Sequence, residues 1–386
     1  VGPELVTEYM ADCRRLVLDE LRRIVPNESK YSSILYDLVF EYPLREAKAL
    51  RPSLCIAICG ALGGSIAGVT TSATVLELYH NAFLIHDDIE DSSELRRDEP
   101  TLHRRHGIPV AVNVGDAMLA LALEPLLDNM RLLSLGKALR ILQTIARMAR
   151  ESAEGQALEL AWIRDQSWSL TASDYFRMVH KKTSHYTFIA PMVVGAIVAD
   201  ASAEQLVRLR LFATALGIAF QIQDDILSLT GREDATGKEI DGDLWEGKHT
   251  LILIHALSHC GVPERVRALG ILRKARPQRP FGSDTPSRLR AVASALAQTG
   301  ELTQAGLAEF QRALDAEQGR GLRTPEDVQF LKALIGQSSS ISYAKRVARR
   351  WAERASDSIG GMDWLAPCVH SAFLENVTEF VVERDS

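Results

Sequence analysis

The sequence predicts an all-α fold on three observations. Apolar residues recur at three- and four-residue steps along most of the chain. No stretch sustains the apolar–polar alternation of a half-buried strand, and no Asn-Gly or Asp-Gly pair joins two alternating runs into a hairpin. In chain order, helical spacing covers residues 7–24, 53–66, 74–89, 137–163, 203–229 and 291–314. Pro52 opens the second of these, in a first turn where a missing N–H costs nothing. The most apolar window, 53–69, carries Gly60, Gly63, Gly64 and Gly68 and is shorter than the roughly 20 residues a membrane span needs. It reads as a close-packed interior helix, and no transmembrane segment is expected. The stretch 273–290 holds three prolines and a cluster of arginines and reads as an irregular surface loop. A second break, small and polar, falls at 336–340. Helical spacing resumes after each, so residues 1–386 are expected to form one all-helical domain with an extended C-terminal helical region.

With 44 Lys+Arg against 50 Asp+Glu, the formal charge of −6 lacks the basic face of a nucleic-acid binder, and none is expected as a partner. The chain, 386 residues with 46% hydrophobic side chains, can bury a large core without a disulfide or structural metal. Its five cysteines (Cys13, Cys55, Cys59, Cys260, Cys368) form no C-x-x-C pair. They point to a reducing, cytoplasmic compartment. Cys55 and Cys59, four apart, stack on one helix face as core packing. The chain opens on Val without a signal-peptide pattern, which predicts a trimmed or processed N-terminus.

Two acidic clusters carry the chemistry. In His86-Asp87-Asp88-Ile89-Glu90-Asp91, four acids follow an apolar helical run, and Asp87 and Asp91 share a helix face at i and i+4. Like charges there repel, and a helix C-terminus disfavours anions. A hard divalent cation removes that cost; Mg²⁺ typically takes one or two carboxylates and completes its shell with substrate phosphates. A second pair, Asp224-Asp225, follows the apolar run 209–220. If the two helices face each other, their acids ring one cavity and hold metal against a diphosphate. Basic residues surround both clusters: Lys48 and Arg51, Arg96-Arg97, Lys181-Lys182, Lys238 and Lys248. Arg grips phosphate bidentately and Lys acts as a point charge, so the set suits a polyanionic substrate.

In this order the motifs resemble the trans-isoprenyl diphosphate synthases, the polyprenyl synthase family, and most of all its geranylgeranyl diphosphate synthases. The matching pieces run from Lys48-Ala49-Leu50-Arg51-Pro52 through Leu78-Tyr79-His80-Asn81, the first acid cluster and Arg96-Arg97. Lys182-Thr183, Phe220-Gln221 with Asp224-Asp225, Gly237-Lys238 and Glu246-Gly247-Lys248 complete the series, spanning roughly residues 40–255. The resemblance implies a single-domain bundle of antiparallel helices around a deep central cavity, usually a homodimer. It implies Mg²⁺-assisted loss of diphosphate from an allylic substrate, attack on the cation by isopentenyl diphosphate, and proton loss to the departed diphosphate. Three Mg²⁺ ions per site are implied, with Asp87, Asp91 and Asp224 as principal ligands and Asp88 and Asp225 in support. Arg96, Lys182 and Lys248, helped by Lys238, would hold the allylic diphosphate, and Lys48, Arg51, His80 and Arg97 the isopentenyl diphosphate. Thr183 and Gln221 would place oxygen dipoles near the cation.

The chain departs from the family pattern at Ser228, often a third aspartate; at Asp98, usually Gly; at Ile252, usually Pro; and beyond about residue 270. In this family, product length is set four and five residues before Asp87, here Phe83 and Ala82, with Tyr79 a turn away. One turn advances about 5.4 Å, close to one isoprene unit. The small Ala82 therefore predicts growth past C15 to a C20 product, shortened again by Ala82→Phe. Three rival readings fit less well. A class I terpene cyclase needs Asp224, Ser228 and then an acid at Arg232, and has no use for Lys48, Arg51 and His80. A non-catalytic partner subunit of a prenyl synthase would have lost aspartates that this chain keeps. A metal phosphohydrolase built on His86-Asp87 lacks separate paired histidines.

Overall fold

The computed structural model describes residues 2–26, 30–45, 47–230, 241–274, 276, 285–319 and 321–383. The longer helices of the first half are α1 (Gly2–Ile24), α2 (Leu50–Ala61), α3 (Ile66–Glu90), α4 (Ile108–Leu121), α5 (Leu123–Leu132) and α6 (Leu135–Arg164). Next come α7 (Ala172–Val179), α8 (Ala190–Val198) and α9 (Ala203–Thr230). The C-terminal part adds α10 (Leu251–His259), α11 (Val262–Leu272), α12 (Thr285–Gln298), α13 (Gln304–Gly319), α14 (Pro325–Gln337), α15 (Ser340–Gly360) and α16 (Val369–Glu383). Between α7 and α8 the chain keeps winding, but in wider π-type turns over His180–Ile189.

The apolar window at 53–69 is two helices. Helix α2 stops at Ala61, Gly63 takes the left-handed φ of 76°, and the Ser65 hydroxyl caps α3 by accepting from Gly68 N at 3.1 Å. The run at 291–314 is likewise two, α12 and α13, broken beside Gly300. Helix α12 begins at Thr285, inside the stretch expected to be irregular, while 277–284 lie outside the described residues. The break at 336–340 separates α14 from α15 as expected.

One hairpin went unforeseen. Strands β1 (Leu95–Arg96) and β2 (Glu99–Pro100) pair antiparallel, with Arg96 opposite Glu99. The tip residues Arg97 and Asp98 both have positive φ, 54° and 61°, as a type I′ turn requires. The usual Gly is absent, but Asp is among the few residues that tolerate this conformation.

Burial forms two apolar clusters. One gathers α1, α2, α3, α8 and the first half of α9, around Leu54, Ile58, Leu76 and Phe212. The other gathers the second half of α9 with α7, α10, α11, α14 and α15, around Ile222, Ile226, Leu253 and Leu331. Each such side chain, fully buried, contributes about 1.5–3 kcal/mol. Two stretches, Ile108–Leu132 and Ala203–Thr230, are long and apolar enough to cross a membrane by composition alone. The first is α4 and α5, broken at Ala122, and the second is α9, which threads both clusters.

Candidate active site

Asp87 lies one turn before the end of α3 and Asp91 is its C-cap, so the apolar run delivers both carboxylates at a helix terminus. Asp224 and Asp225 lie in the last two described turns of α9. Asp87, Asp91, Asp224 and Asp225 line a single cavity of about 1480 Å³. The two acid clusters, well over a hundred residues apart in sequence, therefore face one hollow.

Lysines enter the same space. Lys182 Nζ pairs with Asp87 at 3.3 Å and with Glu159 of α6 at 2.5 Å, and Lys248 Nζ stands 4.0 Å from Asp243. Burial pushes the Asp87 carboxyl up, but Lys182, Lys248 and Arg96 outweigh it and hold it below the usual carboxylate range. Asp91 is pushed well above that range by burial and by the Asp87 charge. Burial disfavours both ammonium charges, yet Asp87 and Glu159 hold Lys182 above its ordinary value, and Glu159, Asp243 and Asp91 do so for Lys248.

Asp88 does not belong to this set and is a correction. It is fully buried behind the cavity wall. It accepts from Tyr42 Oη at 2.7 Å, from Arg96 Nε at 3.0 Å, and from Arg96 Nη2. A helix places residues 87 and 88 about 100° apart, and here Asp87 faces the hollow while Asp88 turns toward Tyr42 and Arg96. Arg96 lines the cavity, but its guanidinium fork is committed to Asp88. Buried Arg45 donates to the Arg96 and Pro100 carbonyls and fixes the hairpin below it.

Lys48, Arg51, His80 and Arg97 also line the cavity, with Arg51 and Arg97 near enough to His80 to act on its charge. Arg51 lies over the Tyr186 ring at 4.3 Å and donates to Thr187 Oγ1 at 2.8 Å. Lys48 lies 5.6 Å over Phe380. Arg97 donates to the Tyr42 carbonyl at 3.0 Å. Burial, reinforced by Arg51 and Arg97, holds His80 well below the ordinary imidazole value. It is therefore a neutral ring, and its buried Nδ1 has no hydrogen-bond partner among the described residues.

The π-type segment carries Lys182, Thr183 and Tyr186 to the cavity, and two glycines clamp it. A Cβ on Gly155 of α6 would come within 2.4 Å of Lys182 N, and one on Gly217 of α9 within 2.5 Å of Ser184 Oγ. Thr183 Oγ1 donates to Gln221 Oε1 at 2.7 Å, and Gln221 Nε2 donates to Asp225 Oδ1 at 2.8 Å. Tyr175 Oη donates to Asp225 Oδ2 at 2.6 Å. Burial and the Asp243 charge raise the Asp225 carboxyl to about 8, against the pull of those two donors. With both oxygens engaged, Asp225 serves this chain of bonds before it serves a metal.

Tyr79, Ala82 and Phe83 are a further correction, since among the described residues none of them lines the cavity. Ala82 is fully buried in the core. Phe83 packs edge-on between Tyr79 (6.0 Å) and Tyr186 (5.8 Å), and Tyr186 is the one that lines the hollow. Ser228 does line it. Lys238 lies outside the described residues.

Sequence reasoning missed Glu159, Tyr175 and Tyr42. Glu159 had a signal: buried residues of α6 fall at 138, 141, 145, 148, 152, 155 and 159, an apolar stripe that ends on an acid. The role of the C-terminal extension is also visible. Buried Arg323 donates to the Leu244 and Trp245 carbonyls, both at 2.5 Å, and to those of Leu272 (3.1 Å) and Lys274 (3.0 Å). It thus anchors the turn that carries Glu246 and Lys248.

The donor set fits a hard divalent cation. The Asp91 carboxylate has no hydrogen-bond or ion-pair partner among the described residues, and the Asp87 charge beside it is unfavourable until a cation intervenes. No three acids or histidines converge on one point among the described residues, so a bound ion would complete its shell with substrate oxygen.

A protein family described as polyprenyl synthetase matches residues 33–279. A short chain isoprenyl diphosphate synthase of Methanocaldococcus jannaschii is 34% identical over 254 residues, 66% of this chain and 74% of that one. The solved geranylgeranyl pyrophosphate synthetase of Pyrococcus horikoshii superposes with a TM-score of 0.76 at 28% identity, covering 99% of this chain and 98% of that one. A polyprenyl synthase from Caulobacter crescentus, solved with calcium and isoprenyl diphosphate, superposes at 0.74 with 25% identity, covering 100% and 99%.

Proposed function

The chain belongs to the polyprenyl synthetase family, and from that premise we propose that it joins isopentenyl diphosphate to an allylic prenyl diphosphate, giving a linear trans-prenyl diphosphate of C20. One observation carries the reading: Asp87 and Asp91 from α3 and Asp224 from α9 share a cavity lined both by Lys182 and Lys248, which stand beside acids, and by Lys48, Arg51 and Arg97. Two diphosphates need two such groups.

Asp87, Asp91 and Asp224 would hold Mg²⁺, three ions in all, and the ions supply the charge that stabilises a departing diphosphate. The chain's own residues do the rest. Lys182 and Lys248, kept protonated by their acidic neighbours, grip the allylic diphosphate beside the metal-binding carboxylates. Lys48, Arg51 and Arg97 grip the second diphosphate, with the neutral His80 offering a hydrogen bond rather than a charge. Thr183 and Gln221 turn oxygen toward the carbon that becomes positive. Phe220, Tyr186 and Leu84 line the remaining wall and exclude water from it.

The C20 length is supported by the named geranylgeranyl relative. A homodimer is supported by an exposed apolar face, on which Ile108 and Val112, Leu123 and Leu127, and Leu135 and Leu139 repeat at four-residue steps along α4–α6. Sedimentation at micromolar concentration tests it. The five cysteines are free thiols, which suits the cytoplasm. The activity is tested by supplying isopentenyl diphosphate, each allylic diphosphate in turn and Mg²⁺, and sizing the product. A linear C20 diphosphate is expected. Turnover of the allylic substrate without any condensation overturns the reading.

A further inference from the structure

We propose that Tyr175 is a positioning residue for prenyl transfer, fixing through Asp225 and Gln221 the direction in which the Thr183 hydroxyl presents its lone pairs to the cavity. The inference rests on the prenyl-transfer reading above and adds the origin of polarity at the reacting carbon. Four residues from three elements form one chain of hydrogen bonds: Tyr175 to Asp225 at 2.6 Å, Gln221 to Asp225 at 2.8 Å and Thr183 to Gln221 at 2.7 Å. Every member is at least partly buried. Tyr175 is 1% exposed, Asp225 4% and Thr183 6%.

Each link dictates the next. The Asp225 oxygen that faces Gln221 accepts from its NH₂, which leaves the Gln221 carbonyl turned toward Thr183. A carbonyl only accepts, so Thr183 has to direct its single hydroxyl proton there. What Thr183 Oγ1 has left for the cavity is lone-pair density, the polarity that stabilises a positive carbon. A hydroxyl free to rotate would present its proton to that carbon part of the time. Tyr175 ends the chain by occupying Asp225 Oδ2, so that the carboxylate cannot turn and release Gln221. Helix α7 places it there with Met178 and Val179 packed beside it in the second core cluster.

The test is a double-mutant cycle between Tyr175 and Thr183, which share no hydrogen bond. Geranyl diphosphate, isopentenyl diphosphate and Mg²⁺ are used with the full chain. Tyr175→Phe is expected to lower kcat about tenfold with both KM values within about twofold. Thr183→Val is expected to lower kcat at least as much. The double variant should be no slower than Thr183→Val alone, because the relay has nothing left to orient. Multiplying losses, or an unchanged kcat in Tyr175→Phe, overturn the inference. A loss confined to KM also overturns it, as does a lowered melting temperature with normal kcat. If Tyr175→Phe fails to fold, Asp225→Asn is crossed with Thr183→Val, with the same two outcomes for the coupling. An inactive wild-type chain would instead sink the prenyl-transfer reading, so the two failures are told apart.

Discussion

Gly155 of α6 lies directly over the backbone of Lys182, so close that an added Cβ would stand 2.4 Å from the amide nitrogen and 2.7 Å from Cα. Backbone cannot yield as a flexible side chain does. Gly155→Ala is therefore expected to push the π-type segment off α6, with an overpacking cost of about 1–3 kcal/mol. It should also move the Lys182 ammonium away from Asp87. Gly136, on the same helix with nothing within 4 Å, is the comparison. Gly136→Ala should gain about 0.4–1 kcal/mol and leave turnover intact. Melting temperatures and kcat of the two variants check both statements.

Adjacent aspartates of the first cluster should fail differently. Asp88→Asn removes the fully buried half of the ion pair with half-buried Arg96 and should cost about 3–5 kcal/mol of stability. Asp87→Asn should leave the melting temperature of the metal-free protein within a few degrees and lower kcat by about 10³ (~4 kcal/mol of barrier). Equal loss of metal affinity in both variants would contradict the assignment of Asp88 to the scaffold.

Stability should fall as pH rises from about 6.5 to 8. A carboxyl raised in the folded state takes up protons that the unfolded chain has released at about pH 4, so its contribution is lost as pH climbs through the folded value, about 8 for Asp225. Asp91 moves in the same direction. The buried histidines oppose this only below about pH 6.5, where the unfolded chain binds the protons they exclude. Metal competes with protons for these carboxylates. Thermal unfolding with and without Mg²⁺ and inorganic pyrophosphate should thus show a larger stabilisation at pH 8 than at pH 6.5. A gain that shrinks with pH would contradict it.

Product length should respond to Phe83 rather than to Ala82. Phe83 backs Tyr186, which faces the cavity, whereas Ala82 is sealed in the core. Phe83→Ala is expected to let Tyr186 retreat and to shift product beyond C20. Ala82→Phe is expected mainly to destabilise, by about 1–3 kcal/mol. Chromatographic sizing of the products, alongside melting temperatures, distinguishes the two.

The acids proposed to hold metal were legible because a local rule picks them out: Asp87 and Asp91 stand at i and i+4 after an apolar run, and Asp224 follows another. Asp88 could not be sorted the same way. Whether it faces metal or scaffold depends on Tyr42, 46 positions earlier, and on an arginine whose approach depends on a hairpin. That hairpin escaped notice because Arg97-Asp98 is no turn dipeptide. It forms where Arg45 and Tyr42 dock against it. The helix through 180–189 falls outside every stretch of helical spacing read from the sequence. Its widening depends on glycines from α6 and α9 meeting it from two sides, information that no window of ten residues contains.

The widened turns also limit how roles can be read from relatives. A π turn closes its hydrogen bond one residue later than an α turn. A chain lacking one residue here would wind as ordinary helix, and every side chain downstream would swing by about 100°. Aligned letters at Tyr186 or Thr187 would then name different compass points, and a gap of one position in this stretch should be treated as a change of wall rather than of length.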